Sequence, residues 1–538
     1  MKKKLKTLLI FPPVTRPGYF SKKKVRVAPF IPLGIAYLGA VLESYEKFEV
    51  KLLDALIEGD LDGIVNKNTY IRYGLSDNEI IKKIKDFDPD IVGVSCLFSA
   101  MEWDSVHICN LVKSINSKVV TIIGGGYAGS CGEKMLKEND SIDFIIIGEA
   151  EITLKKLLLS LDNQNDQISD IDGLIYRKKG IVTKNFKTKF ILDLDTIPFP
   201  ALHLLPMEKY FSLSVSHTSF KNKPYMPMIT SRGCPAKCTF CAISNHWGEK
   251  QRRRSAKNVL DEIEFLIRTY GIKEIHFEDD NLAADKKRAL DIFNGMIGRK
   301  FNITWTVPSG MAIYTLDDEI LEKMKDSGCF SVSLPVENAN QEILTKIMCK
   351  PVNLRKVKPV VEKIRSLGME VRGFFILGFP GETKNDMNET IKFAREHEFD
   401  WAHFFIFAPL PGTKIYEMCI DKGYINEKDI DPLTFFYEPI IETPEFSKDY
   451  LKKLWQDAII DVDFKNNPNL LKYGIDKAIK SFKSVLSTYP HFDFANFYLG
   501  EAYLKKGLKN EAIRYYKKTL KFNKLHKGAI ERLKEIVS

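Results

Sequence analysis

At 538 residues the chain exceeds what one hydrophobic core usually organises, so two to four domains are expected, and an apolar share of 44% excludes long disordered stretches. Nine cysteines, three of them between positions 234 and 241, do not resemble a secreted disulfide framework and point instead to a metal. The net charge of +10 is spread along the chain and gathers partly at its C-terminal end, where it reads as solvated surface; charge alone specifies no nucleic acid or other anionic partner.

The basic run and short apolar stretch of residues 1–10 imitate a signal peptide. Pro12 and Pro13 cut that stretch short and no small-residue cleavage site follows, so a buried first β-strand is the better reading. No segment approaches the roughly 18 uninterrupted apolar residues of a membrane span. A cytoplasmic protein is expected.

Apolar, β-branched runs then alternate with helical patterns at Thr7–Phe11, Glu49–Leu53, Ile91–Leu97, Val119–Ile123 and Phe144–Ile147. This is the rhythm of a doubly wound parallel sheet, assigned here to residues 1–190. The segment Leu192–Ala201 combines turn formers with two prolines and marks a linker over 191–225. A second series occupies 226–430, with strands expected at Met228–Thr230, Glu274–Phe277, Ile303–Val307, Phe330–Leu334, Glu370–Leu377 and Ala402–Phe407, separated by helices such as Ala256–Thr269. Six units fall short of the eight in a closed barrel, so a partial, open parallel (β/α)6 barrel is expected. A helical connector (431–465) leads to an all-α tail (466–538) in which a shift of 34 positions aligns Ala478 with Ala512 and Phe482 with Tyr516. Leu499, Gly500, Tyr503, Ala512 and Tyr516 resemble the packing positions of a tetratricopeptide (TPR) repeat, and Pro490 ends the first copy at the expected offset. The leading helix of that copy is degenerate and Lys524 stands where proline is usual, leaving one good repeat and one partial one. So short an array does not bury a continuous core alone, and the tail is expected to dock on its own enzyme or on a partner protein.

In Ser231-Arg-Gly-Cys-Pro-Ala-Lys-Cys-Thr-Phe-Cys241 the glycine and proline force a loop beyond a strand, letting the thiolates of Cys234, Cys238 and Cys241 converge. Iron–sulfur clusters normally take four cysteines, so three leave one iron of a 4Fe–4S cluster open. The competing structural zinc site needs a fourth ligand, for which His246 is near enough in sequence. His276, His403 and the other cysteines lack neighbouring partners and read as packing residues.

The Cys-x-x-x-Cys-x-Phe-Cys loop, with Phe240 before the third cysteine, resembles that of the radical S-adenosylmethionine (SAM) superfamily. Arg254-Ser255, the helix from Asn258 to Ile263, Glu278-Asp-Asp-Asn281, Glu337, Gly378-Phe-Pro-Gly-Glu382 and Pro411-Gly-Thr413 resemble later segments of the same barrel, in order. The resemblance implies that SAM chelates the open iron through its amino and carboxylate groups and is cleaved by one electron to a 5'-deoxyadenosyl radical. It further implies SAM contacts at Phe240, Glu278, Asp279 and Glu337, an electron donor such as flavodoxin or ferredoxin, and anaerobic operation.

Upstream, Ser95-Cys96-Leu97 and Gly124-Gly125-Gly126 end consecutive strands. Glycine, lacking a Cβ, lets a ligand approach the backbone, and open α/β sheets bind ligands at the carboxyl ends of their strands. The Ser-x-Leu…Gly-Gly pattern is similar to that of cobalamin-binding domains, and it implies that Ser95, Leu97, Gly124 and Gly125 accommodate the nucleotide tail of cobalamin. Gly148-Glu149-Ala-Glu151 resembles the loop after the fifth strand of that family. A nucleotide-binding or response-regulator-like sheet is the alternative. The cobalt-ligating histidine of many cobalamin domains has no counterpart, since the loop after the first strand begins Phe11-Pro-Pro-Val-Thr15 and the first histidine is His107.

Together these features resemble the cobalamin-binding radical SAM family: a Rossmann-like cobalamin domain, a partial radical SAM barrel and a TPR-like tail. The implied activity is C-methylation of an unactivated carbon of a small-molecule substrate through methylcobalamin. Cobalamin-assisted radical cyclisation or oxidation without methyl transfer is a second reading. A third, of another class, is a non-catalytic interaction protein working through the TPR-like tail.

Overall fold

The run Leu8–Phe11 is buried to 2% exposure or less because it forms the C-terminal part of β1 (Leu5–Phe11), a strand paired on both sides in the first sheet. The structure, a computed structural model, describes every residue except 1–3, 18–26, 28, 67–69, 164–166, 214–219, 434, 436, 437 and 538. The start of the 1–10 stretch and the end of the tail thus lie outside the described residues.

The chain continues through β2 (Val14–Pro17), β3 (Phe48–Asp54), β4 (Asp60–Asn66), β5 (Tyr70–Gly74), β6 (Ile91–Ser95), β7 (Val120–Gly124), β8 (Phe144–Ile146), β9 (Leu174–Lys178) and β10 (Ile181–Lys184). Seven of these form a sheet in the order β10-β9-β8-β7-β6-β1-β3, parallel from β3 to β8. The order reverses between β1 and β6, and in such sheets ligands sit at the carboxyl ends of the strands beside that reversal. Two features carry no clear alternation in the sequence. One is the small antiparallel sheet β2-β5-β4, and the other is the antiparallel pair β9–β10 at the edge. In the hairpin, Leu174, Ile175 and Tyr176 of β9 are buried in succession while β10 is half exposed, with Ile181 71% exposed, so neither strand alternates with a period of two.

The second sheet is built from β11 (Tyr225–Met228), then, after the two-stranded ribbon β12 (Ser231–Arg232) and β13 (Arg252–Arg253), from β14 (Glu274–Phe277), β15 (Thr304–Val307), β16 (Cys329–Glu337), β17 (Glu370–Leu377) and β18 (Trp401–Ile406). The six strands β11-β14-β15-β16-β17-β18 pair in chain order and all are parallel, an open partial barrel as expected. The first strand lies at Tyr225–Met228 and not at Met228–Thr230. Pro227 is tolerated inside it because β11 is an edge strand whose other side needs no N–H donor. Helix Ala256–Tyr270 starts where Ser255 accepts the Asn258 N–H at 3.1 Å.

The edge at β18 is covered by helix Lys448–Ala458 and the turn Ile459–Lys465: Trp455 donates to the Phe404 carbonyl at 2.7 Å and the Ala402 N–H to Asp463 at 2.7 Å. Beyond lie helices Ile475–Thr488, Asp493–Lys505, Lys509–Phe522 and Lys527–Val537. The first and third, and the second and fourth, start 34 residues apart, matching the repeat in the sequence. A Cβ on Gly500 would meet the Tyr516 ring at 2.6 Å, so glycine is what lets the second and third helices close on each other. Phe464, fully buried, packs on Trp401 at 5.6 Å and on Phe482 at 5.1 Å, so the tail docks on its own barrel.

Candidate active site

The ribbon β12–β13 pinches the base of the cysteine loop, and Gly233 turns it with φ +87°, where a Cβ would strike the Lys250 carbonyl at 2.9 Å. The loop is tied across the barrel mouth. Thr239, between Cys238 and Cys241, donates its N–H to the Met348 carbonyl at 2.9 Å and its hydroxyl to that of Ile347 at 2.8 Å, and accepts from the Ile415 N–H at 3.2 Å. Phe240 packs edge-on against Phe379 at 5.8 Å. Arg254 anchors the returning chain by its pair with Glu262 at 2.5 Å.

Cys234, Cys238 and Cys241 are half-buried and free of disulfides. Burial raises all three thiols, Cys238 to about 12, while the Lys350 ammonium pulls each of them down. Among the described residues no three His, Cys, Asp or Glu groups could hold a single metal ion. His246 is half-buried, and burial, then the nearby Arg232, hold its pKa down to about 4.

The acidic strand end after β14 divides its tasks. Glu278 faces the mouth, accepting from Ser309 at 3.2 Å. Asp279, expected as a SAM contact, is fully buried and points the other way: it accepts from the hydroxyls of Thr230 and Ser231 and from the Thr230 N–H at 3.2 Å. It therefore braces the root of the cysteine loop and offers SAM no free face. Asp280, not singled out from the sequence, accepts the Gly233 N–H at 3.0 Å, and burial, with Asp279 beside it, pushes it up to about 7. Glu337 ends β16 with φ +69°, at a register shift against β17, and pairs with Lys350 at 2.8 Å.

Lys350 and Tyr314, which no motif marks, line a cavity of about 310 Å³ with Val352, Asn353 and Lys356. Glu382 of the Gly378–Glu382 loop is buried and ties that loop to the strand end: it accepts from Asn338 at 2.5 Å and from the Phe379 N–H at 2.6 Å. His403 packs 5.5 Å from Phe374, whereas His276, expected to lack a partner, stacks on Tyr225 at 4.6 Å and also bonds the buried Glu274 carboxylate at 2.9 Å.

On the first sheet, Ser95 closes β6 and Gly124 closes β7, paired side by side. Cys96 donates its N–H to the Gly124 carbonyl at 2.7 Å, and the Leu97 carbonyl accepts from Tyr127 at 3.1 Å. Gly125 has φ +118°, and a Cβ there would meet the Cys96 carbonyl at 2.5 Å. A Cβ on Gly124 would meet nothing closer than 3.9 Å, so the surface beside it is open as a cofactor tail requires.

The two sites are locked together by ions. Glu149 accepts from Arg232 at 2.8 Å and from Arg252 at 2.5 Å, and Glu151 from Arg232 at 2.5 Å, with all four residues at most 8% exposed. The Gly148–Glu151 loop of the first sheet thus grips both strands of the ribbon that carries the cysteines. The Pro411–Thr413 loop closes the other side, the Gly412 carbonyl accepting from Asn245 at 2.8 Å.

The radical SAM superfamily model matches residues 228–394 and the B12 binding domain model residues 25–158. Cytidylyl-2-hydroxyethylphosphonate methyltransferase of Streptomyces wedmorensis is 33% identical over 445 residues, 77% of this chain and 82% of that protein. An uncharacterized methyltransferase of Pyrococcus horikoshii is 33% identical over 458 residues, 85% of this chain and 92% of that protein. Among solved structures, the cobalamin-dependent SAM radical enzyme OxsB, with aqua-cobalamin and SAM bound, shares the fold with a TM-score of 0.68 over 99% of this chain and 80% of its own, at 15% identity. The radical SAM methyltransferase TsrM from Kitasatospora setae, with cobalamin and a 4Fe–4S cluster bound, does so at 0.64 over 86% and 88%, at 14% identity. The chain is an enzyme whose cofactors are a 4Fe–4S cluster, SAM and cobalamin, and it belongs to the cobalamin-binding radical SAM family of methyltransferases.

Proposed function

We propose that the enzyme methylates an unactivated carbon of a small anionic substrate, a phosphonate or phosphate ester carried on a nucleotide. The observation that carries this reading is the cavity lined by Tyr314, Lys350, Asn353 and Lys356, which puts two cations at the mouth of the barrel, one of them bonded to Glu337. The similarity to a methyltransferase of a cytidylyl phosphonate over 77% of the chain supports it.

When bound, the cluster with SAM supplies a carbon-centred radical able to take a hydrogen atom, and cobalamin supplies the methyl group. In this reading Cys234, Cys238 and Cys241 hold three irons, and Glu278 and Glu337 contact SAM from two strand ends. Phe240 shields the cluster against Phe379, and Asp279 holds the loop from behind. Ser95, Leu97, Gly124 and Gly125 cradle the cobalamin tail. Residues 1–190 form the cobalamin unit and 226–430 the barrel, joined by the 191–225 linker, and 431–465 connect the barrel to a tail over 466–538.

The test is anaerobic turnover of cytidylyl-2-hydroxyethylphosphonate with SAM deuterated in its methyl group. Label in the product supports the reading, and 5'-deoxyadenosine without label in any product sinks it. The latter result favours radical cyclisation, the reaction named for the anaerobic magnesium-protoporphyrin IX monomethyl ester cyclase of Rubrivivax gelatinosus, which is 26% identical over 76% of this chain and 69% of that protein.

A further inference from the structure

Two residues before Lys350, the Met348 carbonyl accepts the Thr239 N–H at 2.9 Å, so this stretch runs alongside the loop that carries Cys238 and Cys241. The Lys350 ammonium lies 5.9 Å from the centre of the Phe240 ring, and Phe240 directly precedes Cys241. Its side chain is 14% exposed and is fixed by a bond to Glu337 at 2.8 Å, at the end of β16. No motif in the sequence marks this cation; the fold brings it to the cysteine loop.

The charges around the loop are uneven. Burial raises the three thiols, and against it Lys350 pulls each of them down. Cys238 also feels Cys241 and Cys234, as three ligands of one cluster must. The carboxyls oppose Lys350 from different sides: Glu337 raises Cys238 by less than Lys350 lowers it, while Asp280 acts on Cys234 and Cys241. A charge fixed in a site this poorly exposed is weakly screened. The potential of an iron–sulfur cluster follows its net charge, its hydrogen bonds and its exposure, and groups outside the ligands tune it.

We infer that Lys350 sets the reduction potential of the cluster: its ammonium, held beside the loop by Glu337, stabilises the negative charge gained on reduction and so raises that potential. The cluster takes up one electron, the reductant loses one, and no bond is made or broken. The inference needs the cluster held by Cys234, Cys238 and Cys241, and it is independent of the methyl transfer and of the phosphonate substrate. Lys350 acts through its position and charge, without ligating iron.

The experiment titrates the anaerobically reconstituted enzyme with dithionite in the absence of SAM and reads the midpoint potential from the electron paramagnetic resonance signal of the reduced cluster. Iron content is measured in each sample. Lys350→Met is expected to lower the potential at unchanged iron content, the ratio of reduced to oxidised cluster at a fixed potential falling about tenfold. Lys350→Arg keeps the charge and should restore the value, and Glu337→Gln, which removes the opposing carboxylate, should raise it. An unaltered potential in iron-loaded Lys350→Met overturns the inference. So does a variant that loses SAM affinity or turnover while its potential stays put, which assigns Lys350 to ligand binding instead. If Lys350→Met fails to load iron, the double variant Lys350→Met/Glu337→Gln leaves no buried charge unpaired and carries the measurement. Because Lys350 outweighs Glu337 at Cys238, its potential must also fall, and a value equal to that of the unaltered enzyme rejects the assignment.

Discussion

Glu149, at the carboxyl end of the first sheet, and Arg232, one residue before the cluster loop turns at Gly233, meet at 2.8 Å with 2% and 5% exposure. Burial raises the Glu151 carboxyl, but Arg232 pulls it further down, so the site stays ionised and the two domains are held by charge. Removing one member leaves the others buried and unpaired, at a cost of about 3–5 kcal/mol. Glu149→Ala is therefore expected to lower the melting temperature and expose the 232–252 ribbon to proteolysis. A double variant replacing Glu149 and Arg252 by leucine should recover part of the loss; thermal melts with limited proteolysis read both.

The glycines that close β7 should separate folding from cofactor binding. Gly125→Ala forces a side chain into a left-handed conformation 2.5 Å from the Cys96 carbonyl, so stability falls by about 1–3 kcal/mol and corrinoid binding is lost with it. Gly124→Leu has room to fold, its first Cβ contacts being 3.9 Å away, and should lose corrinoid absorbance at an unchanged melting temperature. Retention of full cobalamin binding by Gly124→Leu would show that the tail does not pass there.

Cys238→Ala is expected to keep the fold, since the loop stays tied through Thr239, while bound iron and 5'-deoxyadenosine formation fall to background. Iron analysis and circular dichroism of the same sample distinguish this from unfolding.

His403 contributes a pH dependence of known sign. Burial, then the charge of Arg372, lower its pKa to about 3, below its unfolded value near 6.5. Its stabilisation is present above the unfolded value and is lost as pH falls through this window toward 3, by at most about 1.4 kcal/mol per pH unit. His403→Phe keeps an aromatic ring against Phe374 without the proton and should flatten this acid limb in melts between pH 7 and 4.

Phe464 joins the tail to the barrel, touching Trp401, Phe482 and Phe492, the last at 5.5 Å. Phe464→Ala should cost about 3–5 kcal/mol and make the residues beyond 466 the first to exchange amide hydrogens.

Much of the architecture was legible because it is written in short periods. The strands β14 and β17 lie where alternating and apolar runs placed them, and the 34-residue shift that aligns Ala478 with Ala512 reappears as two helix pairs offset by that length. The β9–β10 hairpin escaped because neither strand alternates: Leu174–Tyr176 are buried in succession and β10 is half exposed. Asp279 shows a subtler limit. Neighbouring carboxylates look alike in sequence, and only the path of Thr230 and Ser231 turns one of them inward as a brace while Glu278 faces the mouth.

By itself the sequence marked the three-cysteine loop, the glycines that close β7 and the order of the two sheets, because each depends on residues a few positions apart whose spacing constrains the backbone directly. The tertiary structure alone decided that Lys350 pairs with Glu337, that Asp279 accepts from Thr230 and Ser231, and that Glu149 grips Arg232. These relations join groups 13 to 83 residues apart through burial and charge, and no local pattern encodes which distant partner a folded chain will bring within 3 Å.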